Sequence, residues 1–170
     1  CAILCKKVGR DGNHIPEFET MSHFSALLEN DDIATVMEAN EICNRTGMDT
    51  ISAGSTLACY SEIEGRRLGQ GEIVSLLEAI AAGRGGGLEE GSRRFAESAG
   101  HPEASMSVKG LELPAYDPRG AYGMALAYAT STRGGCHLRA YPVSHEILRR
   151  PVVTDRMSFS GKARIIKIAE

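Results

Sequence analysis

Apolar residues recur at intervals of three and four through much of the first hundred positions, which is the period of an amphipathic helix, and the chain therefore predicts an all-α, mainly helical fold. Residues 18–29 place Met21, Phe24, Leu27 and Leu28 on one stripe, and residues 32–46 repeat the arrangement with Ile33, Val36, Met37 and Cys43. Asn30 or Asp31 is expected to cap the second of these helices and Gly47 to end it. A third helix is expected from Ile51 to Arg66, carrying Leu57, Tyr60 and Ile63. A fourth runs from Glu72 to Ala82, with Ile73, Leu76, Leu77 and Ile80 on its buried side. After the glycine-rich break at 83–87, Leu88 to Ala99 reads as a shorter, charged helix ending at Gly100.

Beyond this point the pattern weakens. Prolines at 102, 114 and 118 favour an extended crossing segment between His101 and Arg119, with a subdomain boundary near Pro114. Residues 1–113 are thus expected to form one helical domain and 114–170 the start of another. Ala121 to Thr130 is rich in small residues and suggests a closely packed helix, followed by a loop over 133–143, a short helix around His145 to Arg149 and a last helix from Ser160.

Charge narrows the function classes. Nineteen Lys and Arg against 22 Asp and Glu give a net charge of -3 without a long run of either sign, so no nucleic-acid partner is expected. No stretch approaches the roughly 20 apolar residues of a membrane span, and no charged start with an apolar core marks a secretion signal. A soluble, cytoplasmic protein is expected. The five cysteines, odd in number and without framework spacing, fit a reducing compartment and make metal or redox chemistry worth weighing. The chain starts at Cys1, not Met, and stops inside an apolar-periodic run, so both ends are expected to be cuts from a longer chain.

Candidate chemistry lies in a few places. Cys1-Ala-Ile-Leu-Cys5 spaces two thiols so that a turn could bring both to one metal centre, although two small buried hydrophobes would have the same spacing. Asn44-Arg-Thr-Gly-Met-Asp49 follows a helix where the chain must reverse. Its amide, carboxylate and backbone groups could meet a polar heterocycle, or Gly47 could be a C-cap and Asp49 or Thr50 an N-cap. Glu17, Glu19 and Glu38 are carboxylates beside apolar stripes, and such a group can be tuned into a proton carrier by burial. The loops Val108 to Gly120 and Ser131 to Arg139 are dense in Gly and Arg, and the second holds His137.

The order of these segments resembles the central and C-terminal part of the aldehyde:ferredoxin oxidoreductases. The anchors are Cys1 and Cys5, Pro16-Glu-Phe-Glu-Thr20, Asn30-Asp-Asp32, Glu90-Gly91, Val108-Lys-Gly110, Tyr116-Asp-Pro-Arg119 and Ser131-Thr-Arg-Gly-Gly-Cys-His137. Cys43-Asn-Arg-Thr-Gly-Met-Asp-Thr-Ile-Ser-Ala-Gly54 is the strongest, similar to that family's D-x-x-G-L-D pterin-contact motif, with Asn44 where Asp is frequent. The resemblance implies a multihelical fold like that family's domains 2 and 3. It also implies a tungsten, or molybdenum, bis-pterin centre, a 4Fe-4S cluster, and a pterin-binding β domain upstream.

By the same resemblance, Cys1 and Cys5 are the second and third of four cluster ligands. Asn44, Gly47, Met48 and Asp49 match the pterin contact, Arg139 a cationic cofactor contact, and Glu19 and His137 the groups that assist proton transfer. Glu38 matches a glutamate that holds an interface metal in some members, but no His stands at the partner position, so no such metal is expected. The implied reaction oxidises an aldehyde to a carboxylic acid and passes electrons to ferredoxin; a homodimer is compatible, and the isolated piece is expected to be inactive. An iron-sulfur electron-transfer module and a cofactor-free helical interaction domain remain as alternatives at this point.

Overall fold

The computed structural model of the chain describes residues 7–169, and among them eight α-helices and two short antiparallel hairpins are joined by loops. This is the mainly helical fold that the apolar period predicts. The chain divides into two compact units, the first ending at Met106 and the second beginning at Ser107. No helix among the described residues is long and apolar enough to cross a membrane.

In the first unit, the hairpin of β1 (Lys7–Val8) and β2 (His14–Ile15) leads into α1 (Phe18–Phe24), α2 (Ile33–Thr46), α3 (Thr50–Glu64), α4 (Gln70–Ala81) and α5 (Ser92–Ala99). Their apolar stripes meet in one core that includes Phe24, Val36, Ile42, Leu57, Ile73 and Leu77. The first expected helix is cut short. It ends at Phe24, and Ser25 closes it by donating from both its backbone N–H and its Oγ to the Met21 carbonyl. Leu28 still reaches the core from the following loop. Asp32, not Asn30 or Asp31, caps α2: its Oδ2 accepts from Thr35 N at 2.9 Å and from Thr35 Oγ1 at 2.6 Å. Asn30 instead ties the preceding loop by accepting from Asp32 N.

The expected helix over 88–99 is broken in two. A 3-10 turn at Leu88–Glu90 is separated from α5 by Gly91, whose φ of 85° and ψ of 167° lie outside the helical region and suit only glycine. The extended crossing expected after His101 contains a further 3-10 turn, Pro102–Ala104, where Pro102 takes the first position that tolerates a missing N–H.

The second unit opens with β3 (Ser107–Val108) and β4 (Leu111–Glu112), paired across a Lys109-Gly110 turn with φ of 54° and 80°, the positive values a two-residue hairpin of primed type needs. The unit therefore begins ahead of the boundary expected near Pro114. Gly135 N donates to Val108 O at 3.2 Å and Lys109 Nζ to Ser131 O at 2.7 Å, which ties this hairpin to the loop after α6 (Tyr122–Thr130). α7 (Val143–Glu146) starts earlier and is shorter than the helix expected at 145–149, and α8 spans Lys162–Ala169. Met124, Tyr128 and Val143 form one small core, and Ala127, Ala140 and Ile166 another.

Two glycines in helices test how tightly the first unit is packed. A Cβ on Gly54 would stand 2.7 Å from the Cβ of His23, whereas one on Gly71 would meet nothing within 4 Å. Gly54→Ala is expected to cost about 1–3 kcal/mol, the scale of overpacking a closed contact. Gly71→Ala should be neutral or stabilise by up to about 1 kcal/mol through helix propensity alone. Urea unfolding of the two variants checks the contrast.

Candidate functional site

The turn between α2 and α3 is built by three local devices. Gly47, at φ 77°, ends α2 in the left-handed conformation and returns its N–H to the Cys43 carbonyl. Asp49 caps α3, with Oδ1 accepting from Ser52 N at 2.8 Å. Asn44 folds its amide back onto its own helix, donating to the Asn40 carbonyl at 2.8 Å. The C-cap and N-cap readings of Gly47 and Asp49 are therefore both realised.

These caps leave groups over. A cavity of about 200 Å3 opens beside the turn, and Asn44, Met48 and Asp49 line it together with Asn40, Thr20 and Thr50. His14, Ile15 and Glu17 complete its wall from the segment before α1. Thr20 and Thr50 face one another with their hydroxyl oxygens 2.8 Å apart, which joins the first turns of α1 and α3. The cavity is polar, and it sits at the N-terminal end of α3, where helix N–H groups favour electron-rich ligand atoms. Asn40 is 7% exposed, yet its side-chain amide makes no hydrogen bond among the described residues. A buried amide held open toward a polar cavity suits a heterocycle that offers donors and acceptors of its own, so the donor set fits the end of a pterin.

Of the residues expected from the sequence, Asn44, Met48 and Asp49 come together in this cavity. Gly47 shapes the turn without lining it. Glu19 lies in the first turn of α1 beside the cavity-lining Thr20 but does not line the cavity itself. Its Oε2 is 3.8 Å from Nδ1 of His23, whose ring also approaches the Glu19 carbonyl at 2.7 Å. Cys1 and Cys5 lie outside the described residues. Among the described residues no group of three or more His, Cys, Asp and Glu side chains is arranged to hold a metal ion.

His137 belongs to the second unit and packs in an aromatic group, its ring centroid 5.7 Å from that of Tyr116 and 6.2 Å from that of Tyr141; the two tyrosine hydroxyls are 3.0 Å apart. Arg139, two residues on, is exposed. Gly134 and Gly135 hold this loop against the β3–β4 hairpin: a Cβ on Gly134 would overlap the Val108 carbonyl, and one on Gly135 would stand 2.6 Å from the Leu111 carbonyl. Sequence reasoning missed Asn40, Thr20 and Thr50. Asn40 had a signal: it stands four residues before Asn44, on the same helical face, inside an otherwise apolar stripe.

A family model described as aldehyde ferredoxin oxidoreductase, domains 2 and 3, matches residues 1–170. A tungsten-containing aldehyde ferredoxin oxidoreductase of Thermococcus kodakarensis is 46% identical over 95% of this chain and 30% of its own length. The protein of the same name from Pyrococcus furiosus is 44% identical over 91% of this chain and 29% of its own length. A third, from Pyrococcus abyssi, is 42% identical over 86% of this chain. The chain thus spans about 30% of the length of the curated relatives it matches.

Cys43, at the end of α2, carries a titration that reports on this turn. Burial, and then the nearby charge of Asp49, push its thiol up from 9.0 to about 11. Between these values the unfolded chain loses the proton first, so the stability this thiol contributes is complete below pH 9 and is lost as pH rises through about 11. Urea midpoints measured across that window should fall, and Cys43→Ala should flatten this part of the profile.

Proposed function

Because the chain belongs to the aldehyde ferredoxin oxidoreductase family, we propose that it is the part of such an enzyme that holds one end of a pterin and supplies proton-carrying groups for aldehyde oxidation. The observation that carries this reading is the polar cavity at the α2–α3 turn, which Asn44, Met48 and Asp49, the residues that match the family's pterin-contact motif, line together. When bound, the tungsten or molybdenum bis-pterin centre supplies the two-electron oxidation, and a 4Fe-4S cluster passes the electrons singly to ferredoxin. Cys1 and Cys5 provide two of the four thiolates that such a cluster requires. An upstream β domain supplies the remaining pterin contacts.

The chain's own groups do four things in this scheme. Asn44 and Asp49 hold the heterocycle: Asp49 spends Oδ1 on the α3 cap, and Oδ2 is left for the cofactor. Glu19 accepts the proton that a water oxygen loses as it attacks the carbonyl carbon of the aldehyde. His137 donates to the substrate oxygen as negative charge develops there, and the neighbouring rings of Tyr116 and Tyr141 orient it. Arg139 balances the negative charge of the cofactor. Overall, aldehyde and water give carboxylic acid, two protons and two electrons.

Variants of the full-length enzyme separate these roles. Glu19→Gln and His137→Asn should each keep metal and pterin but lower turnover by roughly 10²-fold or more, the scale for losing a general acid or base. Asp49→Ala should lose bound pterin and also about 0.5–2 kcal/mol of helix capping. Asp49→Ser restores the cap and not the second carboxylate oxygen, so it should lose pterin at near-normal stability. Cys5→Ser should remove the cluster's visible absorption and iron. Near-normal turnover in both the Glu19 and His137 variants would withdraw their assignment.

A further inference from the structure

We propose that Asn40 is a further cofactor-binding residue, which offers the two sides of its carboxamide to the donor–acceptor edge of a pterin ring in the cavity at the α2–α3 turn. The inference rests on the reading of that cavity given above and adds a residue that the motif Asn44 to Asp49 does not include. Three observations meet at this side chain. Asn40 lies on α2 one turn before Asn44, so the two residues share a helical face, and both line the cavity. It is 7% exposed. And its side-chain nitrogen and oxygen make no hydrogen bond among the described residues.

The other asparagines of the chain are all engaged locally. Asn13 donates to Asp11 Oδ2, Asn30 to the Phe24 carbonyl, and Asn44 to the carbonyl of Asn40 itself. Asparagine is also a weak helix former, so helix propensity does not account for its place in the middle of α2. The carboxamide of Asn40 is open to the cavity and engaged by no other side chain among the described residues, so its chemistry is available to a ligand. A carboxamide presents a donor and an acceptor in one plane, the pattern that a lactam or aminopyrimidine edge presents in reverse. The volume, about 200 Å3, is below the roughly 300–1,000 Å3 of sites that enclose a whole ligand, which suits one end of the pterin and leaves the metal end outside.

The test uses the full-length enzyme, with pterin counted from the fluorescence of the oxidised ring released on denaturation, tungsten from elemental analysis, and thermal unfolding of cofactor-free protein as a control. Asn40→Leu should leave the cofactor-free protein as stable as wild type or more so, while the pterin and tungsten retained per chain after dialysis fall on the order of tenfold, the scale of losing a buried hydrogen-bonded pair. The isosteric Asn40→Asp keeps an acceptor but loses the donors and should also fall, and it carries the test should the leucine variant not accumulate as folded protein. Wild-type pterin content in the Asn40 variants, together with loss in Asp49→Ser, would overturn the role of Asn40 and leave the reading of the cavity standing. Wild-type content in all of them would overturn both. Destabilised cofactor-free protein in the Asn40 variants would make the residue structural and overturn the inference.

Discussion

The approach of α1 to α3 at Gly54 sets the geometry on which the candidate site depends. The absence of a side chain at that position lets the backbone and Cβ of His23 lie where a methyl group would stand at 2.7 Å, and His23 is buried there against its own helix. With the two helices held this closely, Thr20 and Thr50 come within hydrogen-bond distance, and the first turns of both helices form one wall of the cavity. A larger residue at 54 would press first on His23, the neighbour of Glu19, and separate the two helices that form that wall. Packing here is a positional constraint more than a source of energy.

The α2–α3 turn shows how structural and ligand-facing duties divide within a few residues. Asp49 has two carboxylate oxygens and uses one for the cap. Asn44 satisfies its amide nitrogen on its own helix, and its oxygen remains for the cavity. Gly47 takes the left-handed conformation that ends one helix and aims the next. Two readings of the same motif, as caps and as cofactor contacts, are therefore compatible, because each side chain has more than one polar atom. Burial, and then the nearby charge of Asp49, keep Cys43, just before the turn, a thiol well above neutral pH.

In the second unit an ion pair does for packing what Gly54 does in the first. Lys162 Nζ lies 2.6 Å from Glu146 Oε1, and both side chains are nearly or wholly excluded from solvent. The same oxygen accepts from Gly123 N at 2.8 Å near the start of α6, and Lys162 also donates to Thr154 Oγ1. Three helices and a loop thus share one buried charge network. Removing one partner of such a pair typically costs several kcal/mol because the other is left buried and uncompensated. The network does not create the His137 loop, but it fixes α6 and α7, which flank the segment that carries it.

What the sequence by itself determined are the features that depend on neighbours along the chain. The helical period placed α2, α3 and α4 within a residue or two, because an amphipathic stripe is a local pattern. Gly47 and Asp49 were readable as caps for the same reason, and the ordered motifs pointed to the family that the comparison then gave. Tertiary structure alone decided the rest. The early end of α1, the break at Gly91 and the start of the second unit at Ser107 follow from backbone geometry and from bonds such as Lys109 to Ser131, which no local pattern encodes. The Glu146–Lys162 pair joins residues far apart in the chain, and Asn40 became a candidate only once its neighbours were seen to leave its amide without a partner. Hydrogen-bond satisfaction is a property of the folded surroundings, and a sequence shows a polar residue without showing what surrounds it.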